Sequence, residues 1–246
     1  MTTMGRPKTA TRKRRPGRRT APARQSLSRE DWIAAARAEL IAAGINAVKV
    51  GLLARRLRVT RGSFYWHFTS HADLLRELLQ TWEQTNTDPF ERVLRDDGPP
   101  QGLNEFVAIV KLWVEEKDYS PAFDTAVRDW ARTSRAAAAA VHRADERRIA
   151  ILHRVFSDMG FVDPEALIRA RIAYFHQVGY YTLKLQEDRE RRLALVPLYC
   201  QVLLGRPVEL IDAAFGPAEA APAGTGAPAA APVANASRRP LAPIQR

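Results

Sequence analysis

Arg61, Ser63, Tyr65, Trp66 and His67 lie within seven residues and bring together a guanidinium fork, a hydroxyl, a phenol, an indole and an imidazole. Donors and flat rings crowded onto one short element suit the reading of phosphate oxygens and base edges. Phe64 and Phe68, four apart, share a helix face and are expected to point inward, which leaves the polar set outside. Thr60 is placed to cap a helix running from Arg61 to His67, and Val59 with Phe64 to staple its start. Tyr65 and His67 suit phosphate contacts, since a phenol and an imidazole at fixed height each donate to a backbone oxygen. Arg61 suits either the edge of a guanine, through its planar fork, or another phosphate.

Such a set needs a scaffold, and the flanking sequence predicts one. Ser28 caps a helix whose Trp32, Ile33, Ala36, Leu40 and Ala43 share a face, with Leu27 and Trp32 as staple and Gly44 as stop. A second short helix, about Lys49 to Leu57, buries Leu53 and Leu57 and joins the first-described one through Arg58-Val59. Two short helices and a tight turn make a helix-turn-helix. Ser70 and Asp73 open a fourth helix with Leu74, Leu75, Leu78, Leu79 and Trp82 as its apolar stripe.

The net charge of +11 supports the same reading once it is located. Residues 1–26 carry nine basic side chains and no acid, residues 27–72 carry a net +4, and the remainder is −2. A cationic end joined to a neutral body suits a protein with one nucleic-acid-facing surface. The first 26 residues are rich in Pro, Arg and Thr and read as a disordered arm. Gly5-Arg6-Pro7-Lys8 and Arg14-Arg15-Pro16-Gly17-Arg18-Arg19 partly resemble minor-groove AT-hook sequences; a solvating, nonspecific phosphate-binding tail is the alternative.

Beyond Pro89 the pattern becomes a bundle of longer helices. Leu103 to Glu116 is one, and Ser120-Pro121 opens another with Phe123, Val127 and Trp130 on one face. Ser134 to Met159 forms a long helix ended by Gly160. Asp163-Pro164 repeats the start signal, and the next helix sets Ile168, Ile172, Phe175, Gly179 and Thr182 along a seam fit for an interface or for ordinary core packing. The last helix contains Leu193, Val196, Leu203 and Leu204, ends at Gly205-Arg206-Pro207, and is started, kinked or divided by Pro197. No strand pattern appears. The expected fold is all-α with about nine helices: a basic arm (1–26), a helix-turn-helix domain (27–72), a helical bundle (73–215) and a disordered Ala/Pro-rich tail (216–246).

Catalysis finds little support. None of His67, His71, His142, His153 and His176 has metal-ligand spacing or a Cys pair nearby, no Gly-rich loop is present to cradle a phosphate, and neither metal nor cofactor is expected. Arg143, Asp145, Glu146, Arg147 and Arg148 read as a solvated helix face. Cys200, the single cysteine, reads as a buried structural thiol. No run approaches the roughly twenty apolar residues of a membrane span, and no apolar segment follows the N-terminal charges, so a cytoplasmic protein without membrane partners is expected. Trp113, Tyr119, Phe123, Trp130, His153, Phe156, Tyr174, His176 and Tyr180 are candidates for an apolar pocket with polar handles, and each alone is equally a core residue.

Residues 28–80, from Ser-Arg-Glu-Asp-Trp-Ile through Leu-Ala-Arg-Arg-Leu-Arg-Val-Thr-Arg-Gly-Ser-Phe-Tyr-Trp-His-Phe to Ala-Asp-Leu-Leu, closely resemble the DNA-binding domain of TetR-type transcriptional regulators. The resemblance implies a homodimer that dimerises through the last two long helices (about 164–187 and 189–205). It also implies a small-molecule effector in the bundle and a double-stranded operator, most often under repression. It puts Leu53 and Ala54 at buried positions and Thr60, Arg61, Gly62, Ser63, Tyr65, Trp66 and His67 at DNA. Three features depart from the family pattern. Arg58 stands where the turn residue is usually Gly, and Val48 and Lys49 replace a hydroxyl cap, Lys49 remaining a DNA-contact candidate. His71 stands where a phosphate-binding Lys is common. An architectural or weakly specific DNA-binding protein, with the bundle serving only dimerisation, is the alternative.

Overall fold

The computed structural model describes residues 27–94, 102–183 and 187–216. The arm over 1–26 and the tail from residue 217 lie outside the described residues. Among the described residues there are eleven α-helices, one 3-10 turn at Ile45–Ala47 and no strand. The two helices beyond the expected nine, α5 and α11, are six and seven residues long.

The described chain forms two compact units. The first comprises residues 27–87 and 120–144. It holds α1 (Arg29–Ala43), α2 (Val50–Arg56), α3 (Arg61–Phe64), α4 (His71–Asn86), α7 (Pro121–Ala131) and the first ten residues of α8 (Arg135–Asp158). α1 starts at a complete capping box: Asp31 N–H donates to Ser28 Oγ at 3.2 Å, and Ser28 N–H donates to Asp31 Oδ2 at 2.7 Å. It stops at Gly44, whose φ of +74° is a conformation that L side chains rarely adopt.

Trp32 of α1, Leu53 of α2, Phe64 and Phe68 around α3, and Trp82 of α4 are all essentially inaccessible and form one core. Each such side chain stabilises the fold by roughly 1.5–3 kcal/mol through burial. α7 belongs to this core rather than to the bundle. Phe123 and Val127 are fully buried in it, Arg37 of α1 lies over the Phe123 ring at 4.8 Å, and the Trp82 indole donates to Asp124 Oδ1 at 3.2 Å. Asn86 closes the junction by donating from Nδ2 to the Ser120 carbonyl at 2.8 Å. Thus the compact body carrying the helix-turn-helix is larger than its 27–72 segment.

The second unit comprises residues 88–119 and 145–216 of the described chain: α5 (Asp88–Val93), α6 (Gly102–Glu115), the remainder of α8, α9 (Glu165–Thr182), α10 (Arg189–Leu204) and α11 (Glu209–Phe215). Its core joins Phe90, Phe106, Leu152, Val155, Phe156 and Ala170. Arg148 departs from the expected solvated face: it is 1% exposed, its Nη1 donates to the Tyr174 hydroxyl at 3.3 Å, and its guanidinium lies 5.8 and 5.9 Å from the Phe90 and Tyr119 ring centroids. Asp163 does not cap α9. Its carboxylate accepts from His153 Nε2 at 2.8 Å, and the helix begins after Pro164. Pro197 is buried inside α10, which runs undivided to a left-handed Gly205. Among the described residues no helix is long and apolar enough to cross a membrane, and no group of His, Cys, Asp and Glu could hold a metal ion.

Candidate nucleic-acid interface

α3 is a single helical turn, shorter than the expected Arg61–His67 element. After Phe64 the amides of Trp66 and His67 bond three residues back, to Ser63 and Phe64, so the chain tightens and aims consecutive side chains outward. Thr60 occupies the N-cap position with extended backbone, but its side chain makes no capping hydrogen bond. Phe64 is fully buried, stacks on Phe68 at 5.1 Å and meets Trp32 edge-on at 5.3 Å. Those rings fix the base of the element, and Tyr65 and Trp66, 64% and 86% exposed, stand on top of it.

Every DNA-contact candidate reaches the surface of this unit. Lys49, Thr60, Arg61, Gly62, Tyr65, Trp66 and His71 are exposed, while Ser63 and His67 are half-buried. Lys49 is the N-cap of α2 with extended backbone and no side-chain cap bond. Lys49, Arg55, Arg58 and Arg61 make no ion pair among the described residues, whereas Arg56 is bound to Glu39 at 2.6 Å. His71 is partly committed inward: Nε2 donates to the Val48 carbonyl at 2.7 Å, tying the start of α4 to the residue before α2.

Arg58 adopts φ +57°, so the turn needs a left-handed residue even without glycine. A non-Gly residue there costs about 1–2 kcal/mol of backbone strain. Two further residues escape a reading for DNA chemistry. Arg29 bonds Glu77 at 2.6 Å, donates also to the His67 carbonyl, and covers the Phe68 ring at 4.3 Å, clamping α1 and α4 to the end of the reading segment. Its sequence signal is a cation at a helix N-terminus, where the dipole disfavours it. Gly51 of α2 is the second: a Cβ there would stand 2.8 Å from Arg61 Nη2, so the missing side chain is the seat of the Arg61 guanidinium. At the start of α4, Thr69 donates from its amide at 2.9 Å and its hydroxyl at 3.0 Å to Asp73, and these two bonds, the amide's first, hold that carboxyl below its ordinary pKa.

Residues 33–78, which contain this whole arrangement, match the family model described as bacterial regulatory proteins, tetR family. This segment of the chain is a TetR-type DNA-binding domain. No curated protein matches the sequence. Among solved structures, reduced NemR of E. coli is similar with a TM-score of 0.50 at 16% identity, over 76% of this chain and 93% of that one, which extends the likeness in fold. BioQ, solved with its natural double-stranded DNA operator, is 20% identical over 77% of this chain and 98% of that one, with a TM-score of 0.33. The matched domain supports DNA-binding transcription regulation, and it contains the α3 head described above.

The second unit contains a cavity of about 580 Å³ bounded by α6, α9 and α10. Of the nine candidate pocket residues, Trp113, His176 and Tyr180 line it, while Tyr119 packs into the core of this unit. Phe123 and Trp130 pack in the other unit, Phe156 lies in the core, His153 is held by Asp163, and Tyr174 donates to Asp145 at 2.5 Å. Sequence reading missed Gln177, Arg192 and Cys200, which also line the cavity. Desolvation first, and the Arg192 charge second, lower the His176 pKa below its ordinary value. Burial pushes the Cys200 thiol up to about 12, which makes it inert. The same two helices expose Ile168, Ile172 and Phe175 on α9 and Leu198, Tyr199 and Val202 on α10, the last at 76%.

Proposed function

We propose that this TetR-family protein is a dimeric repressor that binds a palindromic operator and is released by a small-molecule effector. The observation that carries the reading is the α3 surface, where exposed Arg61, Tyr65 and Trp66 rise from a fixed aromatic base. Tyr65 and His67 donate to phosphates and set the register, and Arg61 reads a base edge from its seat over Gly51. Lys49, Thr60, Gly62, Ser63 and His71 complete the contact surface, with 27–72 as the reading domain and 73–215 as the effector and dimerisation region.

Dimerisation is supported by the row of aliphatic and aromatic side chains exposed on α9 and α10. Contiguous apolar patches of this kind mark interaction sites on soluble proteins. A two-fold pairing through that face would place two reading heads on half-sites about one helical turn, roughly 34 Å, apart. An effector then acts by favouring a head spacing that no longer matches the operator.

A competition gel shift at physiological salt tests this reading. The neighbouring promoter fragment should resist at least about a hundred-fold excess of random DNA, as specific sites do. Equal displacement by random DNA would instead support an architectural protein driven by the +9 arm.

A further inference from the structure

We propose that the cavity between α6, α9 and α10 holds an uncharged, largely apolar small molecule whose hydrogen-bond acceptor is bound by the Gln177 side-chain amide. This deepens the effector reading and rests on it for its regulatory meaning. The volume of about 580 Å³ lies within the range of about 300–1,000 Å³ that takes one drug-sized molecule. Its walls are Phe106, Val110, Trp113, Ile172, Val196 and Leu203, with few polar atoms among them.

The cations in the lining are already committed. Arg192 donates to Glu116 at 2.7 Å, to the Tyr181 hydroxyl at 2.9 Å and to the Trp113 carbonyl at 3.1 Å. Arg169 is held by Glu165 at 2.6 and 2.9 Å and by the Leu203 carbonyl. An anionic ligand would have to break one of these sets and leave a glutamate without its partner, so charge is selected against.

Gln177 is different. It is 6% exposed, it lines the cavity, and its Nε2 has no hydrogen-bond partner. A buried amide donor left unpaired is a standing destabilisation that a ligand oxygen removes. The neighbouring rings of Trp113, His176, Tyr180 and Tyr199, the His176–Tyr199 pair at 4.6 Å, favour a flat aromatic body.

Three probes sharing one ring system separate these claims in fluorescence titrations of the full chain without DNA: pyrene, 1-acetylpyrene and pyrene-1-carboxylate. 1-Acetylpyrene should bind saturably at one per chain and about five-fold tighter than pyrene, the value of one added hydrogen bond. The carboxylate should bind at least about ten-fold more weakly than 1-acetylpyrene. Gln177→Leu should bring 1-acetylpyrene to the affinity of pyrene while leaving pyrene unchanged.

Equal binding of pyrene and 1-acetylpyrene by the unaltered protein would overturn the role of Gln177 whatever the variant does. Tighter binding of the carboxylate would overturn the exclusion of charge. Loss of 1-acetylpyrene binding as protein concentration rises would show that a second copy fills the cavity, and would overturn the proposal as a whole. Since no DNA is present, a cavity that behaves as expected in a protein that ignores the operator would sink the repressor reading and leave this one standing.

Discussion

The α3 head and the α9–α10 face both expose rings and large side chains, yet their chemistry is opposite. On the head, Tyr65 and Trp66 stand beside Arg61, Ser63 and His67, so each flat surface comes with a donor. On α9 and α10 the exposed set is Ile168, Ile172, Phe175, Leu198, Tyr199 and Val202, mostly side chains with no polar group. A surface that meets a polyanion needs directed donors on a rigid base. A surface that meets its own copy needs apolar area. The same chain therefore carries two exposed hydrophobic regions that call for different partners.

The sharpest way to break that contrast is to remove the base of the head. Phe64→Ala should destabilise the first unit by about 3–5 kcal/mol in chemical denaturation and abolish operator binding. Retained DNA binding at full affinity would mean that the rings do not position the head. Phe175→Asp, on the exposed face of α9 and outside the cavity lining, should act on the other region alone, weakening self-association by about 3 kcal/mol in analytical ultracentrifugation, because a symmetric interface would bury two carboxylates. An unchanged association constant would remove α9 from the interface.

Arg61→Ala should relax preference at one base pair per half-site by about 1–3 kcal/mol in a mutated-operator series. Uniform weakening across all sequences would reassign Arg61 to phosphate. A smaller gain is expected in the turn: Arg58→Gly should raise stability by up to about 1 kcal/mol, since relief of the φ +57° strain outweighs the added freedom of the unfolded chain.

The smallest effect concerns pH. His176 has a lowered pKa in the folded chain, so the unfolded state takes up its proton first as pH falls through the ordinary histidine range. The stability that depends on the neutral ring is present above about pH 6.5 and is lost below it. His176→Gln should therefore flatten the stability-against-pH curve below about pH 6.5. An unchanged curve would mean that the ring titrates alike in the folded and unfolded chain.

The head was readable in the sequence because its determinants are local. The Ser28 capping box, the Gly44 stop, the Phe64 and Phe68 spacing and the Arg58 turn each involve residues within a few positions of one another. The cavity was less readable because its walls come from three separated helices, and Phe123 and Trp130 fit its chemistry while packing elsewhere. Arg148 was hidden by its charge, although it lies four residues after Ala144 and four before Leu152, both fully buried on the same helix stripe. α5 and α11 are too short to hold helical structure without tertiary packing, so composition alone gave no sign of them.

In the proposed symmetric dimer the α3 head reads sequence twice, once on each half-site. Sequencing the fragments that the full-length protein selects from random DNA at physiological salt tests it most directly. A two-fold symmetric motif with half-sites centred about 10 base pairs, or a multiple of that, apart is expected. Selected fragments with no shared motif, or with a single unpaired half-site, would contradict it.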